Sequence, residues 1–142
     1  SYSAVAKLSA LCLLFFVLYL HDHTTLCWAD TVELGEAHTC VLLTSTHSNT
    51  VKCFGVNHDG RLGLGDTDNR GDNVDEMGGN LPAINFGLDF QPKLLSPMTT
   101  NHQCVISSAN EAKCFGYNWR GQLGYGDGAN RGNNAGDMGD NL

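Results

Sequence analysis

A chain of 142 residues, 42% of them apolar, has the length and hydrophobic content for one domain core. Its formal net charge of -7, with 8 Lys and Arg scattered along it, argues against binding to a phosphate backbone, which requires clustered cations. With 17 Gly, 3 Pro and no heptad pattern, the body of the chain reads as short strands joined by tight turns, an all-β pattern.

The apolar residues are unevenly spread. Lys7 is followed by an apolar run of 13 residues, Leu8 to Leu20, which His21, Asp22 and His23 end. A membrane span needs roughly 20 apolar residues, whereas the core of a secretory signal needs about 7 to 15. Residues 1–29 are therefore predicted to be a signal peptide cleaved after Ala29, in Leu26-Cys27-Trp28-Ala29-Asp30, or an uncleaved signal anchor. A buried apolar segment is the alternative, and membrane contact is expected only if the anchor is retained. With no initiator Met and an abrupt end at Leu142, the chain is expected to be a fragment.

From Thr31 to Leu34 the sequence predicts a strand, then a glycine turn at Gly35 and a second strand from His38 to Leu43. A polar connection leads to a return strand, Val51 to Gly55. Leu81 to Gly87 (LPAINFG) reads as a further short strand, and Lys93 to Thr99 as the opening strand of a second unit, with Pro97 at a strand end where its missing N–H does least harm. His102 to Ser107 and Ala112 to Gly116 then repeat the hairpin with a connection shorter by three residues. A length change confined to a loop tip leaves the ladder untouched.

The stretch Cys53 to Leu81 is written again, without a gap, at Cys114 to Leu142. Cys53 and Cys114, Gly60 and Gly121, Asp66 and Asp127, and Arg70 and Arg131 are each 61 positions apart. Such a match is a duplicated structural unit. The recurring residues are His38, Cys40, Leu42, Lys52 to Gly55, Asn57, Gly60 to Gly63, Gly65 and Asp66, and again His102 to Asp127. This pattern closely resembles the repeat of the regulator of chromosome condensation family. Arg70, Gly71, Met77, Gly78, Asn80 and Leu81 resemble the longer form of that repeat in secreted members. The resemblance implies that residues 30–142 are an incomplete β-propeller, holding less than two four-stranded blades of a ring that usually has seven. It also implies unpaired strand edges at the open ends, which invite pairing with another chain.

Four of the six cysteines fall at matching places in the two hairpins. If each ladder centres on its loop, Cys40 faces Cys53 and Cys104 faces Cys114. Directly opposed residues lie about 4.5 to 5.5 Å apart, within disulfide range. Signal cleavage would remove Cys12 and Cys27 and leave an even four. Buried thiols packed between units are the alternative. Zinc is disfavoured, since no C-x-x-C occurs and only His38 and His102 recur nearby. Those two histidines precede the first cysteine of each hairpin by two and so share its face. Their recurrence in both units marks them as framework residues, each ring expected to be hydrogen-bonded to a neighbouring loop. The same recurrence marks Asp66 with Arg70 and Asp127 with Arg131, each pair expected to pin a long connection, with a solvated surface contact as the alternative.

The loop from Asp66 imitates a calcium loop at Asp66, Asp68 and Gly71. Arg70 stands where the fifth ligand should be, Met77 where the closing Glu should be, and Ala129 replaces Asp68 in the other copy. Gly60, Gly63 and Gly65 imitate a phosphate loop, but no helix-forming segment follows them, and turns with positive φ explain them better. No cofactor or metal is implied, and no Ser or Cys has a uniquely placed His for nucleophilic catalysis. The copies diverge at His58 against Trp119 and at Val56 against Tyr117, and the divergent aromatics either form a contact surface or pack on the next blade. His58, Arg61, Tyr117 and Trp119 are the candidate contacts for a protein partner, in a secreted or cell-surface recognition or scaffold module. The resemblance also implies two other roles: nucleotide exchange on a small GTPase, which the acidic charge, signal and cysteines oppose, and inhibition of an enzyme by a secreted propeller.

Overall fold

A computed structural model describes residues 28–45, 48–98 and 100–142. Nearly all of the predicted signal segment, including Cys12 and Cys27, lies outside the described residues. The rest is all-β, with six strands: β1 (Trp28–Leu34), β2 (His38–Thr44), β3 (Thr50–Gly55), β4 (Pro92–Leu95), β5 (His102–Ser107) and β6 (Ala112–Gly116). They form two antiparallel three-stranded sheets, in the orders β1-β2-β3 and β4-β5-β6. Two single-turn 3-10 segments, Gly78–Asn80 and Gly139–Asn141, are the helical content of the described residues. None is long and apolar enough to cross a membrane.

Strand alternation sets which side chains each sheet offers to its neighbour. In β2, His38, Cys40 and Leu42 are buried and the residues between them are not. Their cross-strand partners Val51 and Cys53 are also fully buried. This cysteine-bearing face, here called the front, lies against the opposite face, the back, of the second sheet. There Leu95, Val105 and Phe115 are at most 1% exposed, and they share one hydrophobic cluster with Cys40, Leu42, Val51 and Cys53. Burying each Leu or Phe in such a layer contributes roughly 1.5 to 3 kcal/mol relative to leaving it exposed. Polar bonds fix the stacking: Met98 donates its N–H to Glu33 Oε2 (3.1 Å) and Asn49 Nδ2 donates to Pro92 O (2.8 Å).

The hairpin registers agree with the sequence expectation. Cys40 opposes Cys53 and Cys104 opposes Cys114, and each pair is a disulfide with its Cα atoms 4.1 Å apart. Two expected strands differ. Leu81 to Gly87 is not a strand: Pro82 has no N–H to give, Ile84 N–H makes a single ladder bond to Val51 O (2.8 Å), and Asn85 then turns the chain. Its Oδ1 accepts from Gly87 N–H (2.9 Å) and its carbonyl accepts from Gly139 N–H (3.0 Å). The opening strand expected at Lys93 to Thr99 is shorter, Pro92–Leu95, and Pro97 follows it, while Thr99 lies outside the described residues.

Candidate functional site

The long connections after β3 and β6 carry the four candidate contacts, and one buried asparagine organises each connection. Asn57 is 0% exposed. Its Nδ2 donates to Asp66 O and Asp66 Oδ1 (both 2.9 Å), its Oδ1 accepts from Leu62 N–H (2.9 Å), and its own N–H donates to Asn69 Oδ1 (3.0 Å). Asn118 repeats this with Asp127, Leu123 and Asn130, and adds a bond to Ala129 O (2.9 Å). One amide thus closes the turn from its own position to the Asp nine positions on from inside, and a buried amide so fully bonded fixes its loop. The motif contained both asparagines, but only their burial reveals the role. A recurring Asn with a recurring Asp nine positions on is the sequence signal by which it could have been found.

The expected ion pairs are present: Arg70 with Asp66 at 2.6 Å and Arg131 with Asp127 at 2.7 Å. Both arginines also donate to loop carbonyls, and their backbones bridge to the ends of the strands, Gly55 to Arg70 and Gly116 to Arg131. The Arg131 hydrogen bond and then the Ala129 N–H hold the Asp127 carboxyl below its ordinary range.

On this scaffold the candidate contacts divide. His58 is exposed and lines an open depression of about 570 Å³ with Asp68, Arg70, Asp72 and Glu76. Trp119, one residue beyond the buried Asn118, is 77% exposed. Tyr117 is half-buried, and Arg61 is tied to Asp59 at 2.7 Å with its side chain only 11% exposed. Arg61 therefore serves the turn before it serves any partner. His58 and Arg61 sit on the turn after β3, Tyr117 and Trp119 on the corresponding turn after β6.

The chemistry these groups offer is recognition by shape and hydrogen bonding. Glu76, on the rim of the depression, is held at about 2 by the Asn73 side chain first and the Gly71 N–H next. Its oxygens accept from Gly71 N–H (2.8 Å), Asn73 N–H (3.1 Å) and Asn73 Nδ2 (3.0 Å), so it is an ionised loop clamp and not a proton donor near neutral pH. Among the described residues no group of three His, Cys, Asp or Glu side chains is placed to hold a metal ion. His38, expected to be hydrogen-bonded framework, is buried, with neither ring nitrogen bonded to a protein group. Burial first, then the charge of Arg61, lowers its pKa from 6.5 to about 4, so it packs as a neutral ring beside Met98. No protein-family model matches the chain, and no curated protein matches it.

Proposed function

We propose that residues 30–142 are part of a secreted or cell-surface β-propeller that recognises a protein partner through the connections after β3 and β6. The observation that carries this reading is Trp119: a large aromatic side chain, 77% exposed, next to an asparagine whose hydrogen bonds hold the turn rigid. A backbone fixed in advance lowers the entropy lost on binding, and exposed aromatic side chains dominate the energetics of protein interfaces. Two stacked sheets with equal hairpin registers support the propeller part of the reading. Two disulfides fit an oxidising, extracellular-type environment, and with the acidic charge they count against nucleotide exchange at chromatin.

The test is binding of the purified chain to surface and extracellular proteins of the cells that make it. Trp119→Ala is expected to weaken binding by about tenfold or more while leaving Tm unchanged. Val74→Ala, at a position 88% exposed on the first connection, is the control expected to bind normally. If Trp119→Ala binds as the unaltered chain does, the proposed recognition surface is wrong.

A further inference from the structure

The joint between the two sheets is closed at one end by a ring that cannot carry a charge there. Within each sheet the strands are tied by their backbone ladders and by one disulfide, Cys40–Cys53 in the first and Cys104–Cys114 in the second. Between the sheets the ties are an apolar layer and isolated bonds. Besides the Met98 bond to Glu33 and the Asn49 bond to Pro92, Glu36 N–H donates to Thr100 O (3.3 Å) and Asn130 Nδ2 donates to Asp59 Oδ1 (3.4 Å).

His38 stands in that layer at the start of β2, two residues from Cys40 and on the same face. It is 3% exposed, and Met98, from the segment after β4, lies against its ring: a Cβ built on Gly35 would sit 2.5 Å from His38 Cε1, 2.6 Å from Met98 Sδ and 2.7 Å from His38 Nδ1. Both ring nitrogens are buried, and neither is bonded to a protein group. A neutral ring leaves one N–H and one lone pair unpaired, whereas a protonated ring would bury a second N–H together with a full charge, at far greater cost.

The surroundings offer such a charge no counter-ion. The charges that act on the ring are those of Arg61, on the turn after β3, and His102, at the start of β5. Glu33 of β1 accepts from the Met98 N–H, Asp59 is paired with Arg61, and Glu36, on the turn before β2, is exposed. The buried residues of β4 are Pro92 and Leu95, and β5 turns inward the neutral Gln103, whose Nε2 donates to Ser96 O and Cys104 O.

We infer that His38 is an acid-sensitive latch: to take up a proton its ring must leave the layer, which opens this end of the joint and bares the Cys40–Cys53 bond while both hairpins keep their pairing. The sign follows from linkage. Burial first, then Arg61, lowers the pKa of the closed ring from 6.5 to about 4, so the closed joint is favoured in full above 6.5 and loses that advantage as pH falls from there to about 4. Both faces of the joint and the latch itself lie within the described chain. The inference rests on this joint, and not on Trp119 or on recognition of another protein.

The experiment is reduction of the disulfide-bonded chain by a water-soluble phosphine, which acts in acid as well as at neutral pH, with maleimide trapping, peptide mass mapping and circular dichroism at each pH. The rate at Cys40–Cys53 divided by the rate at Cys104–Cys114 is expected to rise by about tenfold or more between pH 7.5 and pH 5, with the β-sheet signal unchanged. In His38→Leu, which has no ring to protonate, the ratio is expected to stay constant, and in His102→Gln the rise is expected to remain. A ratio independent of pH in the unaltered chain overturns the inference. So does a rise that persists in His38→Leu, a rise that disappears in His102→Gln, or one that comes with loss of the β-sheet signal, since then the chain unfolds as a whole. If His38→Leu fails to fold, His38→Gln, polar but without a titrating group, decides the same question.

Discussion

His38 illustrates how a residue that recurs for architectural reasons acquires a measurable signature. Its ring fills the space between Gly35 and Met98, where a Cβ on Gly35 would strike it, and neither nitrogen has a protein partner. Protonation would place a charge in that apolar pocket beside Arg61, which is why the pKa falls to about 4. The sign follows from linkage. Below 6.5 the unfolded chain takes a proton that the folded chain refuses until about pH 4, so the stability is fully present above 6.5 and is lost as pH falls through that window. Unfolding in urea should therefore show stability lower by roughly 2 kcal/mol at pH 5 than at pH 7.5. His38→Leu, of similar bulk and without a titrating group, should remove most of that difference. The carboxylates held low, Glu76 at about 2 and Asp127, lose their contribution only at lower pH, so they do not mimic it. An unchanged slope in His38→Leu would mean that the ring is not buried as described.

At the scale of strands and turns, the hairpins were legible because a duplicated sequence fixes its own register. Equal placement of Cys40 and Cys53, and of Cys104 and Cys114, about their loops left one antiparallel pairing that opposes both pairs. Leu81 to Gly87 was not legible, since an apolar run carries no mark of which bonds its backbone will find. Asn85 and Gly87 turn it by contacts with Gly139, more than fifty residues away in the chain. The turn glycines were legible in conformation but not in surroundings. Gly60 and Gly121 have φ of 75° and 73°, yet the first is packed on the second connection and the other is open. Alanine at either position must adopt a left-handed backbone, a cost of about 1 to 2 kcal/mol. At Gly60 the methyl group must also displace the Gly132 to Asn133 backbone. Gly60→Ala should therefore destabilise clearly more than Gly121→Ala, by roughly 1 to 3 kcal/mol in denaturant unfolding. Equal losses would show that the two connections do not pack as described.

For the whole molecule, the feature that no single repeat could announce is which face of each sheet is covered, because that depends on what stacks against it. The alternation in β5 places Gln103, Val105 and Ser107 inside, whereas the same alternation in β2 places His38, Cys40 and Leu42 inside. The two strands have matching sequences and opposite buried sides. The disulfides report this directly. Cys40 and Cys53 are each 0% exposed beneath the second sheet, whereas Cys104 and Cys114 are half-buried on the open front. Thiol–disulfide exchange requires a thiolate to reach a sulfur along the bond axis, so access governs the order of reduction in the folded protein. With limiting reductant under native conditions, followed by alkylation and peptide mass mapping, the Cys104–Cys114 bond should open more than about tenfold faster than Cys40–Cys53, which must wait for the sheets to part. Equal rates for the two bonds, or a faster Cys40–Cys53, would mean that the first sheet is not covered by the second, and the directional stacking that organises the chain would have to be abandoned.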